Sequence, residues 1–452
     1  MTFLELRLDL ASVFRADPLS WTMAALIAVV IVTVSGYSRR YMAGDRNRSG
    51  YGRTLLLLGM SILVMVFADS LWVMLVSWGV SNLLLVRLMV HKQEWRAARN
   101  AGLLALKTFS GGFGMLALAF CLLSRSAHTS SIAAILAHSK EISGHQTSLA
   151  LMLIILAAMT QSAIWPFHRW LISSLNSPTP VSALMHAGLV NGGGFLLVRF
   201  APLYLARPDF LHLLFMAGLV TAVLGTTWKL LQTDIKRMLA CSTMGQMGFM
   251  VIQCGMGLFA PAVSHLCWHG LFKAYLFLSA GSVVQEKRRE NPFRGITLAS
   301  FGVSCLFGVI GAYTFAQTSS SAFHAGDTSI VLLGLAFMAA TQLSCKILDS
   351  VRGPGRALFS LVVSIVTGAL YGISLRLVEH VLAPLGLLRP QPLDVFYLSG
   401  LIVMTLIWLS MNMNIAVRLQ NTAFWKRLYM AALNGGQPHP STITERRSAY
   451  HG

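Results

Sequence analysis

The sequence predicts an all-α polytopic membrane protein with about 13 transmembrane helices. Three observations carry that reading. Hydrophobic residues make up 55% of the 452 positions and charged residues only 11%, against roughly 25% charged in soluble domains. Mean hydropathy is +0.65, which also excludes a disordered chain. The apolar runs are continuous and about 20 residues long, enough to cross a bilayer. They lack the alternation of barrel strands, and in lipid only helices and closed barrels satisfy their own backbone. About 13 such spans use roughly 260 residues and leave short loops, with no room for a large soluble domain.

Spans are expected near residues 20–36, 54–69, 71–90, 101–123, 147–165, 181–202, 210–228, 238–257, 261–284, 297–316, 328–346, 358–380 and 394–416. The first run begins near Leu19 without a basic n-region or cleavage pattern, so it reads as a retained helix and not a signal peptide. Span five ends in MTQSAIWPFHRWL, where Pro166 should break or kink the helix. The segment SLNSPTPVSALMHAGLVNGGGFLL follows, with two prolines, Asn176, Asn191 and Gly192 to Gly194. Such irregular backbone at membrane depth is tolerated where protein covers it or where it lines an aqueous cavity. The six cysteines sit in or beside apolar runs with no CxxC pair and read as small buried hydrophobes. No zinc, iron–sulfur or haem motif is visible, and no metal site is expected in this chain.

The net charge of +19 could point to nucleic acid, but the placement of the charges points to topology. Loops after odd-numbered spans and the C-terminal tail hold 24 of the 35 Lys and Arg; the N-terminal segment and the other loops hold 6, and 5 lie within spans. Basic loops stay on the cytoplasmic side. The expectation is a multi-pass protein of the cell (inner) membrane, N-terminus outside and C-terminus cytoplasmic, with lipid and not nucleic acid around it.

Residues 1–416 form the expected transmembrane domain and 417–452 a separate C-terminal unit. VRLQNTAFWKRLYMAAL mixes apolar and basic positions at helical spacing, which suits an interfacial amphipathic or partner-docking helix. The polar sequence after it breaks at Pro438 and Pro440 and reads as an extended, adaptable terminus. Trp425, Tyr429, Gln437 and His439 are the candidate docking residues.

Ionisable groups inside spans cost roughly 2.5–3.5 kcal/mol at a helix centre, so each carries information. Lys107 falls in span four and His186 near the start of span six. His265, His269 and Lys273 fall in span nine at spacings of four, which puts them on one helix face about 6 Å of rise apart. Two imidazoles and an amine in a row can hand protons along through bridging water. A single buried His often does no more than bond a neighbouring helix; three aligned groups make that the weaker reading. Arg87, Arg199, Arg376 and Glu379 lie nearer span ends, where such groups snorkel or pair structurally. From residues alone this is a proton or cation path beside a broken helix, a construction common in ion transporters.

SPTPVSALMHAGLV, LQTDIKRMLACSTMGQMGFM and HLCWHGLFKAYLFLSAGSVV closely resemble the antiporter-like proton-translocating subunits of complex I, of the subunit L type, and the Mrp antiporters. GYSRRYMAGD and FADSLWVML resemble the same family. LYMAALNGGQPHPSTITERR and QSAIWPFHRWLISSLNSPTPVSALMHAG narrow the resemblance to the DabB subunits of two-component inorganic carbon transporters. The resemblance implies an antiporter-like fold and a path through His186, Lys236, His265, His269 and Lys273, with Asp234 beside Lys236. It also implies a non-enzymatic subunit that passes H+ or Na+, H+ being preferred, to drive CO2 hydration to bicarbonate in a separate DabA subunit that carries the zinc. The family's glutamate of span three is Gly79 here, and its broken-helix lysine is Gln161; no lysine stands in span ten, and Lys346 is the candidate replacement. The alternatives are a pump subunit of a respiratory or Mrp-type complex and a non-conducting membrane anchor for a soluble enzyme.

Overall fold

The computed structural model describes residues 13–139, 141–142, 144–281, 297–319, 323–324, 326–351, 353–413 and 419–443. The basic loop from Lys287 to Arg294, Arg418 and the tail beyond residue 443 lie outside the described residues. Among the described residues, fourteen principal helices run in chain order: α1 (Pro18–Tyr41), α2 (Arg48–Phe67), α3 (Leu71–Met89), α4 (Arg96–Ala127), α5 (His145–Gln161), α6 (Thr179–Arg199), α7 (Pro208–Leu230), α8 (Ile235–Gly255), α9 (Phe259–Leu278), α10 (Leu298–Thr318), α11 (Ser329–Ser350), α12 (Arg356–Leu382), α13 (Val395–Asn412) and α14 (Ala423–Gly435). Extended pairing among the described residues is limited to isolated bridges such as Leu258 with Leu388.

Ten of these helices are long and apolar enough to cross a membrane. They do not include α5, α8 and α9, so length and composition do not establish the expected thirteen. The reason is physical. α5 has only 17 residues, and α9 carries His265, His269 and Lys273. Helices covered by protein need not be apolar all round. The innermost span is α6, 94% buried over its apolar window, against 17% for α13 at the periphery.

Local signals set the helix ends. Asp17 caps α1, its carboxylate accepting from Ser20 N at 2.8 Å, and Pro18 opens the first turn. Arg39 and Arg40 close the last turn, where cations complement the helix dipole. Asp17 also pairs with buried Arg199 of α6, which donates to Ser20 Oγ at 2.8 Å and Val66 O at 3.0 Å. Arg199 therefore clamps α6 to α1 and α2.

Small residues let α7 and α8 approach closely. A Cβ at Gly225 would sit 2.4 Å from Gly245 N, and one at Gly218 would sit 2.6 Å from Ile252 N. Backbone contact of this kind is the usual way membrane helices gain packing without a hydrophobic driving force.

Two segments differ from expectation. α5 stops at Gln161, before Pro166, with Ser162 N bonded to Ala158 O at 2.9 Å. Ser162 Oγ donates to Val190 O of α6 at 2.6 Å, and Ala163 takes a positive φ of 53°, so the chain has left the helix before Pro166. The C-terminal unit forms the amphipathic α14, with Phe424, Leu428, Tyr429 and Met430 exposed. The described polar residues after it, 436–443, do not extend away. They turn at Pro440–Thr442 and lie against the bundle.

Candidate cation path

The row on α9 faces α6 and α8. The rings of His265 and His269 lie within 10° of parallel, 6.1 Å apart. His269 is 5% exposed and neither of its nitrogens has a protein partner. Lys273 is 1% exposed, and its ammonium donates to Leu239 O of α8 at 3.2 Å. Among the described residues no carboxylate forms an ion pair with Lys273; Asp45 pairs with His91, Asp17 with Arg199 and Asp394 with His212.

His186 joins this row through a distortion of α6. Residues Met185–Leu189 form a π turn, with Val190 N bonded to Met185 O at 3.1 Å. Such turns recur at functional sites because they widen the helix and re-aim a side chain. His186 stacks on Phe277 of α9 at 4.3 Å, and its Nδ1 lies 3.1 Å from Thr243 Oγ1 of α8. Gly270 makes the approach possible: a Cβ there would lie 2.8 Å from Ala187 O in the π turn. Lys236, in the first turn of α8, donates to Ser177 O at 3.1 Å. Lys236 and Thr243 are seven residues apart, about 10 Å along the helix. α8 thus runs from Lys236 past the carbonyl that holds Lys273 to the hydroxyl that meets His186.

At its other end the row opens on a cavity. His265 lines a volume of ≈ 440 Å³ together with Gln246, Phe249, Phe315, Thr367 and Tyr371. His265 Nε2 has no protein partner, and it faces a space lined mostly by Leu, Ala and Phe side chains with Gln246, Thr367 and Tyr371 among its polar groups.

At the junction of α3 and α5 the family's lysine position holds Gln161, which pairs with Asn82, and its glutamate position holds Gly79. Gln161 Nε2 donates to Asn82 Oδ1 at 3.0 Å and to Leu189 O at 3.3 Å. At Gly79 a Cβ would meet the Phe113 ring at 2.9 Å, so the ring occupies the space a larger side chain would need. A small, mostly apolar cavity of ≈ 30 Å³ lies beside Trp78, Gln161 and Asn191.

The remaining sequence candidates lie elsewhere. Lys107 is exposed on α4, and Lys346 is exposed on α11 within electrostatic reach of Lys229. Asp234 is exposed and caps α8, accepting from Arg237 N at 2.9 Å. Tyr429 and Gln437 are exposed; Trp425 and His439 are half-buried. Sequence reading passed over Thr243, Asn82, Phe277 and His168. Polar residues inside apolar runs were the available signal for Thr243 and Asn82. His168 lies between α5 and α6, 4% exposed, with its ring 4.9 Å from that of Trp228. Burial, aided by the charge of Arg169, pushes His168 down to about 4.

Residues 68–301 match the family model described as NADH:quinone oxidoreductase/Mrp antiporter, TM. Residues 4–51 match that of the complex I chain 5 N-terminus. The chain is 40% identical over 284 residues to the probable inorganic carbon transporter subunit DabB1 of Halothiobacillus neapolitanus, covering 61% of this chain and 50% of the relative. It is 37% identical over 277 residues to the probable DabB of Bacillus anthracis, covering 60% and 54%. Chloroplastic NAD(P)H-quinone oxidoreductase subunit 5 of Nymphaea alba is 32% identical over 328 residues, covering 70% and 43%. The chain spans about half the length of the carbon-transporter relatives it matches. A chain in the structure of the Mrp complex from Dietzia sp. DQ12-45-1b superposes with a TM-score of 0.64 at 23% identity, covering 96% of this chain and 54% of the other. That likeness shows the fold.

Proposed function

We propose that this chain, which belongs to the NADH:quinone oxidoreductase/Mrp antiporter family of membrane proteins, is the cation-translocating subunit of a two-component inorganic carbon uptake system. Its partner in this reading is a DabA-like zinc subunit that hydrates CO2. The observation that carries the reading is the row His265, His269 and Lys273, its last two members buried, joined by His186 and with no carboxylate among the described residues paired to Lys273. Imidazoles and an amine bind and release protons, whereas a bare Na+ path needs oxygen ligands; the ion is H+. The basic side is cytoplasmic, and Lys236 stands at that mouth. Each proton crossing brings about 2.3 kcal/mol per 100 mV, enough for one or two to bias hydration towards bicarbonate. The neutral Gln161–Asn82 pair favours this reading over a complex I-type pump, whose design uses a charged pair at that junction.

The test is carbon-dependent growth or uptake in cells that rely on this system, with membrane expression measured in parallel. Lys273→Met keeps most of the volume and removes the amine, so the protein is retained and ion-coupled uptake is lost. Lys273→Arg does not restore it, because a guanidinium does not release its proton. Full uptake by a well-expressed Lys273→Met, His269→Ala double variant would leave the anchor reading standing.

A further inference from the structure

The segment after α14 folds back over the loops that surround Lys236. Gly436 O accepts from Gln232 Nε2 at 3.3 Å, His439 N donates to Ser173 Oγ at 2.9 Å, Ser441 O accepts from Asn100 Nδ2 at 2.7 Å, and Thr442 O accepts from Asn176 Nδ2 at 3.0 Å. These four bonds reach three different loops or helix ends. The path of the strap is also shaped by packing. A Cβ at Gly435 would come within 2.8 Å of the Trp228 ring, and one at Gly436 within 2.9 Å of Gln232 Nε2. Thr442 is only 6% exposed.

One of these contacts leads to the path. Asn176 closes the 3₁₀ turn Ser174–Asn176, and the next carbonyl, Ser177 O, receives the Lys236 ammonium at 3.1 Å. The position of that carbonyl depends on where the turn sits, and the strap holds the turn from both ends, at Ser173 and at Asn176. A lysine side chain left to itself samples many rotamers. A fixed acceptor narrows that set.

We propose that the strap Gly436–Thr442, acting through Asn176, holds Lys236 in register at the mouth of the path, so that Asn176 is a positioning residue and the strap serves its own chain. The proposal rests on the cation-path reading above. It differs from a role for the tail in holding the partner.

The experiment uses the complex as purified from membranes, reconstituted in proteoliposomes and driven by a proton gradient. Three changes are compared: Asn176→Leu, which keeps the volume and loses the donor; Asn176→Gln, which keeps the donor; and a chain ended after Gly435. Thr442→Val is the control, since its carbonyl remains and its hydroxyl bonds only to His439 O nearby. In parallel, a Ser177→Cys variant reports on the turn through its rate of alkylation by a membrane-impermeant maleimide, read by peptide mass spectrometry. Loss of the strap bonds should raise that rate about tenfold. Asn176→Leu and the shortened chain should lower proton flux by a similar factor, Asn176→Gln should recover part of it, and the partner should still co-purify. Unchanged alkylation and flux in the shortened chain would overturn the proposal. So would loss of the partner with alkylation unchanged, or equal losses in Asn176→Leu and Asn176→Gln. Absence of proton flux from the unaltered complex is a separate result: it overturns the path reading itself, and the role of Lys236 with it.

Discussion

Gln161 of α5, at the position where the resemblance to complex I subunits calls for a lysine, donates its side-chain amide to Asn82 of α3 at 3.0 Å, so a neutral pair joins these helices about one turn from Gly79, where the resemblance calls for a glutamate. Both side chains are buried, 4% and 3% exposed. The amides hold the same helices together without the cost of desolvating two charges.

That pair makes a reciprocal prediction. Gln161→Lys places an amine beside Asn82 with no counter-ion and should destabilise the protein by about 3–5 kcal/mol. Adding Asn82→Asp should recover much of the loss. Thermal unfolding in detergent, followed for both single variants and the double, reads the coupling. Additive losses would mean that the two positions do not interact.

His168 gives a pH dependence whose sign follows from its environment. Its folded-state pKa lies at about 4, below the usual 6.5 of an exposed imidazole. The unfolded chain therefore binds a proton first as pH falls. Stability is fully present above about pH 6.5, declines between there and about pH 4, and levels off below, with a loss on the order of 3 kcal/mol. His168→Phe should flatten this part of the profile and keep the contact with Trp228. The check is the thermal midpoint in detergent from pH 7.5 to pH 4; an equal slope in the variant would assign the acid loss to other groups.

Topology is testable at the strap. Ser441 is exposed and its carbonyl meets Asn100 at the start of α4, on the side where the basic loops gather. Ser441→Cys should react with an impermeant maleimide only from the cytoplasmic face, the side to which the Lys and Arg bias assigns it. Reaction from the opposite face would invert the whole chain.

Composition and the length of the apolar runs were enough to determine a helical membrane protein, because a bilayer leaves the backbone few other choices. A spacing of four was enough to align His265, His269 and Lys273, since an α-helix repeats its faces at that interval. The amphipathic α14 was legible for the same reason. What the sequence could not supply was the meeting of residues on different helices. The π turn that brings His186 to Thr243 and Phe277 depends on how closely α9 approaches at Gly270, which is a property of the packed pair. The end of α5 was expected at Pro166, but the helix stops at Gln161, where Ser162 meets Val190 of α6. Lys107 and Lys346 look like path residues in one dimension, and tertiary packing leaves both exposed. Asn176 and Thr442 stand 266 positions apart. Local periodicity carries no information across such a distance, so only the packed bundle decided that Thr442 returns to the turn whose next carbonyl holds Lys236.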